Sequence, residues 1–147
     1  MSYYKSPLGW MEIESYDNVL VSLGFVAKKP AEGALLAKHS PIFSQLESYF
    51  HKKKKDFSVV RRHSGTPFQN RVWKELESIP YGKTVSYSEI AERIGRKNSV
   101  RAVARVIGQN KIALVVPCHR VIGKNGKLTG YAYGLQKKSW LLRHEGR

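Results

Sequence analysis

The stretch SYSEIAERIGRKNSVRAVARVI, residues 86–107, decides how this chain folds. Ser86, Tyr87, Ser88 and Glu89 follow the capping-box pattern, in which a serine and a glutamate three residues later satisfy each other's backbone N–H groups, so a helix starts there. It turns Ile90 and Ile94 inward and ends at Gly95. Ser99 opens the next helix, with Val100, Val103, Ala104 and Ile107 facing inward and Arg101 and Arg105, four apart, sharing the opposite face. Two helices joined by a short turn, with paired arginines outward, make a helix-turn-helix. Many such pairs only pack, so the flanking residues must say whether this one binds a polyanion.

Upstream, Thr66-Pro67-Phe68-Gln69 combines an N-cap, a helix-start proline and a capping-box partner. Phe68, Val72, Leu76 and Trp73 then face a core until Pro80 stops the helix. Downstream, Ile112 to Val116 reads as a buried strand that Pro117 ends, leaving Cys118-His119-Arg120 where the backbone departs from the core. Asn125-Gly126 suits a tight hairpin turn. Gly130-Tyr131-Ala132-Tyr133-Gly134 is too glycine-rich for a regular strand, and Leu135 to His144 forms a last helix with Trp140 and Leu141 buried.

Cys118 is the only cysteine in the chain. A lone cysteine is more often a small buried hydrophobe than a nucleophile. Here Arg101, Arg105, Arg120, Lys124 and Lys127 lie close by in sequence, and positive charge favours thiolate over a thiol of pKa about 8.5.

The first 63 residues read differently. Trp10 to Glu14 and Val19 to Val26 make two antiparallel strands around a turn at Asp17-Asn18. Ser40-Pro41 opens a helix to about His51 with Ile42, Leu46, Tyr49 and Phe50 on one stripe. Lys52 to Lys55 is a solvated turn, and a boundary falls near Arg62 to Gly65, giving units 1–63 and 64–147. The 147 residues carry net charge +15: residues 1–64 hold ten Lys/Arg against six Asp/Glu, the remainder sixteen against five. The basic half is the half with the cysteine, which points to nucleic acid, although a lysine-rich surface also serves solubility. No run of about 18 apolar residues spans a membrane, the N-terminus lacks a secretion signal, and one cysteine excludes an internal disulfide, so a cytoplasmic protein is expected.

Pro117-Cys118-His119-Arg120-Val121 resembles the active-site signature of the O6-alkylguanine-DNA alkyltransferases. So do Gly82-Lys83-Thr84-Val85-Ser86-Tyr87, Arg101-Ala102-Val103, Asn110, Gly130-Tyr131 and Trp140 to Gly146, at compatible spacing from Thr66 onward. The resemblance implies an α/β chain of the α+β kind, a small RNase H-like α/β domain followed by a mostly helical domain with a winged-helix-like helix-turn-helix. It implies irreversible, single-use transfer of an alkyl group from O6 of guanine, with O4-alkylthymine a possible second substrate, to Cys118. His119 would take the thiol proton through a water, Glu145 would orient His119, and Tyr87 would assist the leaving base. Beyond residue 79 the other carboxylates are Glu89, explained as a cap, and Glu92, which also favours Glu145.

The resemblance further implies minor-groove binding by Arg101, Ala102, Arg105, Tyr87, Ser88 and Arg120. Arg101 would fill the place of the flipped nucleotide, Tyr131, Ala132, Tyr133 and Val121 would border the pocket, and Asn110 would tie the recognition helix to the active-site strand. Tyr133 stands where many relatives have a small residue and is expected to narrow the pocket. Some relatives bind zinc through N-terminal cysteines, but none precedes Cys118, so no metal or cofactor is expected. The partner is double-stranded DNA carrying alkylated guanine, met by a monomer on the nucleoid, or in the nucleus of a eukaryote. Rival expectations are an alkyltransferase-like lesion binder, which lacks the cysteine, a helix-turn-helix regulator, which leaves Cys118 idle, and a redox sensor, which needs a resolving thiol.

Overall fold

A computed structural model describes residues 1–53 and 56–146, and the backbone divides into two compact units, Met1–His63 and Ser64–Arg147. Within the described residues no helix is long and apolar enough to cross a membrane.

The first unit is a three-stranded antiparallel meander with one helix. Strands β1 (Ser2–Ser6), β2 (Gly9–Tyr16) and β3 (Val19–Phe25) lie in that order. Asp17 and Asn18 both take positive φ, 49° and 64°, which lets two residues reverse the chain between β2 and β3. Alternation puts Met11 and Ile13 of β2 and Leu23 and Phe25 of β3 into the core, and a register shift opposite Glu14 and Ser15 turns Leu20 inward as well. Helix α1 (Pro41–Phe50) is capped by the Ser40 hydroxyl and buries Ile42, Leu46, Tyr49 and Phe50, the stripe its spacing predicts. Strand β1 is an addition to the two expected strands. Its one buried aromatic, Tyr4, packs edge-on against Phe43 and hydrogen-bonds Glu47. Both sheet edges are covered, β1 by backbone bonds from Tyr3 to Ala34 and Leu36, β3 by bonds from Leu20 to Val60 and Arg62. Of the lysine run, Lys52 and Lys53 are exposed in a turn, whereas Lys54 and Lys55 lie outside the described residues.

In the second unit, helix α2 (Pro67–Leu76) starts with the Thr66/Gln69 capping box and α3 (Tyr87–Arg93) with the Ser86/Glu89 box. Phe68 is half-buried beneath Arg96 instead of in the core. Helix α4 (Val100–Gly108) is tied to α2 by the Trp73 indole N–H, which donates to the Val106 carbonyl at 2.8 Å. Ser99 precedes α4 but its side chain makes no capping bond. A short parallel pair joins β4 (Val85–Ser86) to β5 (Val121–Ile122), and α5 (Leu135–His144) closes the unit.

Three expectations need correction here. Ile112 to Val116 is buried but is no strand: Leu114 has φ 67° and the Val116 N–H bonds back to Ile112. Asn125-Gly126 does form a turn, closed by the Gly123 N–H on Lys127, yet no strand follows to complete a hairpin. In α5, Trp140 is half-buried and stacks on His144, and the buried positions are Lys138, Leu141 and Leu142.

Candidate active site

Asn110, the second residue after α4, organises the backbone that presents the cysteine. Its Oδ1 accepts from the Ile112 N–H at 3.1 Å, and its Nδ2 donates to the Val116 carbonyl at 2.8 Å. The same amide nitrogen lies 3.2 Å from Cys118 Sγ. A side-chain amide thus stands in for the missing strand partner, and it joins the end of α4 to the thiol. Pro117 leads into one tight 3₁₀ turn, Cys118–Arg120, all three residues of which are buried.

Burial raises the Cys118 thiol above its ordinary pKa, although Asn110, the charge of Lys138 and nearby backbone N–H groups pull the other way. The expectation that Arg101, Arg105, Arg120, Lys124 and Lys127 favour the thiolate is therefore not met, because none of them is among the charges acting on the thiol, and burial outweighs Lys138, which is. Arg120 in particular is occupied elsewhere. A neutral thiol at neutral pH needs a base before it can act as a nucleophile.

His119 is fully buried, with Nε2 2.8 Å from Glu145 Oε2. Burial lowers its pKa despite the carboxylate, so the imidazole is neutral at neutral pH. An ionised carboxylate only accepts, so Nε2 carries the hydrogen and Nδ1 is the free base. Nδ1 is buried with no hydrogen-bond partner among the described residues.

Arg120 corrects the expectation that it contacts DNA. It is 5 % exposed and turned inward, with Nε 2.8 Å from Glu145 Oε1, Nη2 3.0 Å from Oε2, and Nη1 2.7 Å from the Ile79 carbonyl. A fork of this kind matches a carboxylate in geometry and charge. Burial works against ionisation of Glu145, but hydrogen bonds and charge from His119 and Arg120 prevail and hold its carboxyl far below the usual range. At neutral pH the guanidinium supplies that charge, since the imidazole is uncharged. Gly82, at φ 77°, lies where a Cβ would come within 3.0 Å of the Glu145 carbonyl, so the turn before β4 passes close to the end of α5.

Acid should dismantle this cluster. His119, with its pKa depressed in the fold, contributes stability that is present above its unfolded value of 6.5 and is lost as pH falls below it. Glu145, also depressed, adds a second loss below about its unfolded 4.5. Each titrating group contributes a slope of up to about 1.4 kcal/mol per pH unit. Urea unfolding of the chain between neutral pH and pH about 4 checks this, and His119→Gln should flatten the upper part of the loss.

Beside the thiol lies a cavity of about 640 Å³, walled by Tyr87, α4 (Val100, Arg101, Ala104, Arg105) and the segment from Thr129 to Ala132. Cys118 opens onto it. Val100 and Ala104, expected in the core, are on this wall instead. The Tyr87 hydroxyl donates to the Thr129 carbonyl at 2.7 Å, and Ser88, next along α3, is half-buried. Arg101 and Arg105 are exposed on α4 and Ala102 between them is half-buried. Tyr131 and Ala132 line the cavity, but two expected pocket residues do not. Val121 is fully buried in β5, and Tyr133 stands behind Tyr131 with ring centroids 5.5 Å apart. Tyr133 thus braces Tyr131, and burial together with the Cys118 charge raises its own pKa.

Sequence reasoning missed Lys138. It is fully buried, and its Nζ donates to the carbonyls of Thr129 at 3.1 Å and Gly130 at 2.9 Å. The signal was available: Lys138, Leu141, Leu142 and Glu145 fall at helical spacing on the one inward stripe of α5.

Two family descriptions match the chain: "6-O-methylguanine DNA methyltransferase, ribonuclease-like domain" over residues 1–61 and "6-O-methylguanine DNA methyltransferase, DNA binding domain" over residues 67–147. The methylated-DNA–protein-cysteine methyltransferase of Mycolicibacterium paratuberculosis is 43% identical, over 97% of this chain and 89% of its own. Its counterpart in Shigella flexneri is 58% identical over 56% of this chain, a match that spans about half of that relative, 48% of its length. Among solved structures, Mycobacterium tuberculosis OGT in complex with DNA superposes with a TM-score of 0.89 at 41% identity, covering 98% of this chain and 91% of that one.

Proposed function

Because this chain belongs to the 6-O-methylguanine DNA methyltransferase family, we propose that it repairs alkylated DNA directly, moving an alkyl group from O6 of guanine to Cys118. The observation that carries this is the buried row Cys118, His119, Glu145 and Arg120 beside an open cavity. The free Nδ1 of His119 takes the thiol proton through a water. The thiolate attacks the alkyl carbon as the bond to O6 breaks, and the electron pair leaves on the base. Tyr87 lines the cavity, and its hydroxyl supplies a hydrogen bond or proton to that base once it turns away from the Thr129 carbonyl it holds in the resting protein.

The S-alkyl product is a thioether that nothing in the site can displace, so each chain reacts once. It is a reagent as much as an enzyme, with no cofactor.

The target atom is stacked inside a duplex and has to be swung out, at a cost of a few kcal/mol. Arg101, exposed on the second helix of the helix-turn-helix and bordering the cavity, is suited to fill the vacated space. Small Ala102 permits close approach of α4 to the minor groove, and Arg105 and Ser88 contact the backbone. Shallow contact there reads little sequence, which fits a search for lesions anywhere. A single chain carries the whole site, and it acts in the cytoplasm on the nucleoid, or in the nucleus of a eukaryote.

Arg101→Ala tests the flipping role. Transfer from duplex DNA bearing labelled O6-methylguanine should slow by roughly 10- to 100-fold, the equivalent of the lost few kcal/mol of flipping support. Transfer from the free alkylated base should stay at the wild-type rate. Equal slowing on both substrates contradicts the role, and no label on the wild-type chain contradicts the repair function itself.

A further inference from the structure

Lys138 is a buried cation without a carboxylate partner among the described residues. Its side chain descends from α5 to the cavity wall, where two of its three hydrogens go to Thr129 and Gly130. The ammonium also sits 5.7 Å from the Tyr87 ring centroid. The Thr129 carbonyl it holds is the one that accepts from the Tyr87 hydroxyl. Tyr87 on α3 faces the ammonium, the Cys118 thiol opens onto the cavity whose wall the lysine's two carbonyl partners form, and the lysine's charge reaches both Cys118 and His119 on the 3₁₀ turn.

A buried charge with no counter-charge costs several kcal/mol in a resting protein. That cost is rational only if the counter-charge arises during function. Negative charge develops in this cavity at two moments, when Cys118 ionises and when the base departs. We propose that Lys138 is a positioning residue for the transfer, fixing the Thr129–Gly130 wall that orients Tyr87 and supplying the positive charge against which the Cys118 thiolate forms. This rests on the alkyl-transfer function proposed above.

The electrostatics agree with the geometry. Burial lowers the Lys138 pKa to about 8, with the cysteine's charge opposing the fall, and the lysine in turn pulls the thiol downward. Above about pH 8 the support is withdrawn as the ammonium loses its proton.

Two variants test this, Lys138→Met, which keeps most of the stem without the charge, and Lys138→Arg, which keeps the charge. Each is first checked for folding by circular dichroism and for duplex binding. The decisive measurement is the pH profile of Cys118 alkylation by iodoacetamide, which needs neither DNA nor Tyr87. In Lys138→Met the apparent thiol pKa should rise by about one unit, a tenfold loss of thiolate at neutral pH. Single-turnover transfer from O6-methylguanine DNA should fall by roughly 100- to 1,000-fold. Lys138→Arg should recover the thiol profile to within about half a unit of wild type. An unchanged iodoacetamide profile in a folded Lys138→Met chain overturns the proposal even if transfer is slow, because a structural lysine would slow transfer without moving the thiol. Failure of Lys138→Arg to restore the profile overturns it as well. Absence of transfer by the wild-type chain would instead remove the alkyl-transfer function and leave the thiol result standing.

Discussion

Replacing Arg120 by methionine is expected to cost the fold about 3–5 kcal/mol and to abolish alkyl transfer. Arg120 makes two bonds to the Glu145 carboxylate and one to the Ile79 carbonyl, all inside the protein. Removing one partner of a buried ion pair leaves the other charge uncompensated, and that is where a penalty of this size comes from. Burial works against ionisation of Glu145, and without Arg120 only His119 would oppose it, so the carboxylate would be a weaker acceptor for the imidazole. Urea denaturation measures the loss of stability. The double variant Arg120→Met with Glu145→Leu should regain most of it, since no lone charge remains buried, yet it should not regain transfer. A single variant as stable as wild type would mean that the fork is dispensable.

The second large effect is expected from His119→Gln. Glutamine can still donate to Glu145, so the variant deletes the base while keeping the bond at 2.8 Å replaceable. General-base assistance contributes about 10²–10⁴-fold, and single-turnover transfer should fall by that factor. The shape of the pH dependence separates chemistry from packing. With the imidazole gone, only hydroxide or buffer can ionise a thiol whose pKa burial has raised, so the rate should climb about tenfold per pH unit. In the wild-type chain His119 is already neutral at neutral pH, so its rate should vary far less there. Parallel pH profiles in the two proteins would deny His119 the role of base.

Local chemistry made much of this chain legible. The Thr66/Gln69 and Ser86/Glu89 boxes are complete within four residues, and both helices start where those residues say. The stripe of Ile42, Leu46, Tyr49 and Phe50 likewise needs only the period of a helix. Where the pattern was silent, partners distant in sequence decide. An apolar run of five residues has no period that separates strand from turn, and the amide of Asn110 settles Ile112 to Val116 as a turn. Ser2 to Ser6 is a strand because β2 pairs with it along its whole length.

Charges were read as surface because they usually are. Arg120 was expected among the DNA-binding residues and is instead sealed against Glu145, 25 positions further on. Lys138 is a milder case: helical spacing placed it on the inward stripe of α5, but no spacing rule could name the Thr129 and Gly130 carbonyls that hold its ammonium there. The candidate nucleophile, base and orienting carboxylate were legible through resemblance to a family. Their electrostatics were not, since the positive charges near Cys118 in sequence suggested a thiolate, whereas burial favours a thiol.

The central claim is that the sulfur of Cys118 receives the alkyl group. The chain is to be incubated with duplex DNA containing O6-methylguanine, digested, and its peptides weighed. The account predicts a single added methyl group, on the peptide holding Cys118, rising to one per chain and no further with excess DNA. An unmodified Cys118 peptide from folded protein bound to that DNA, or a methyl group on any other residue, would contradict it.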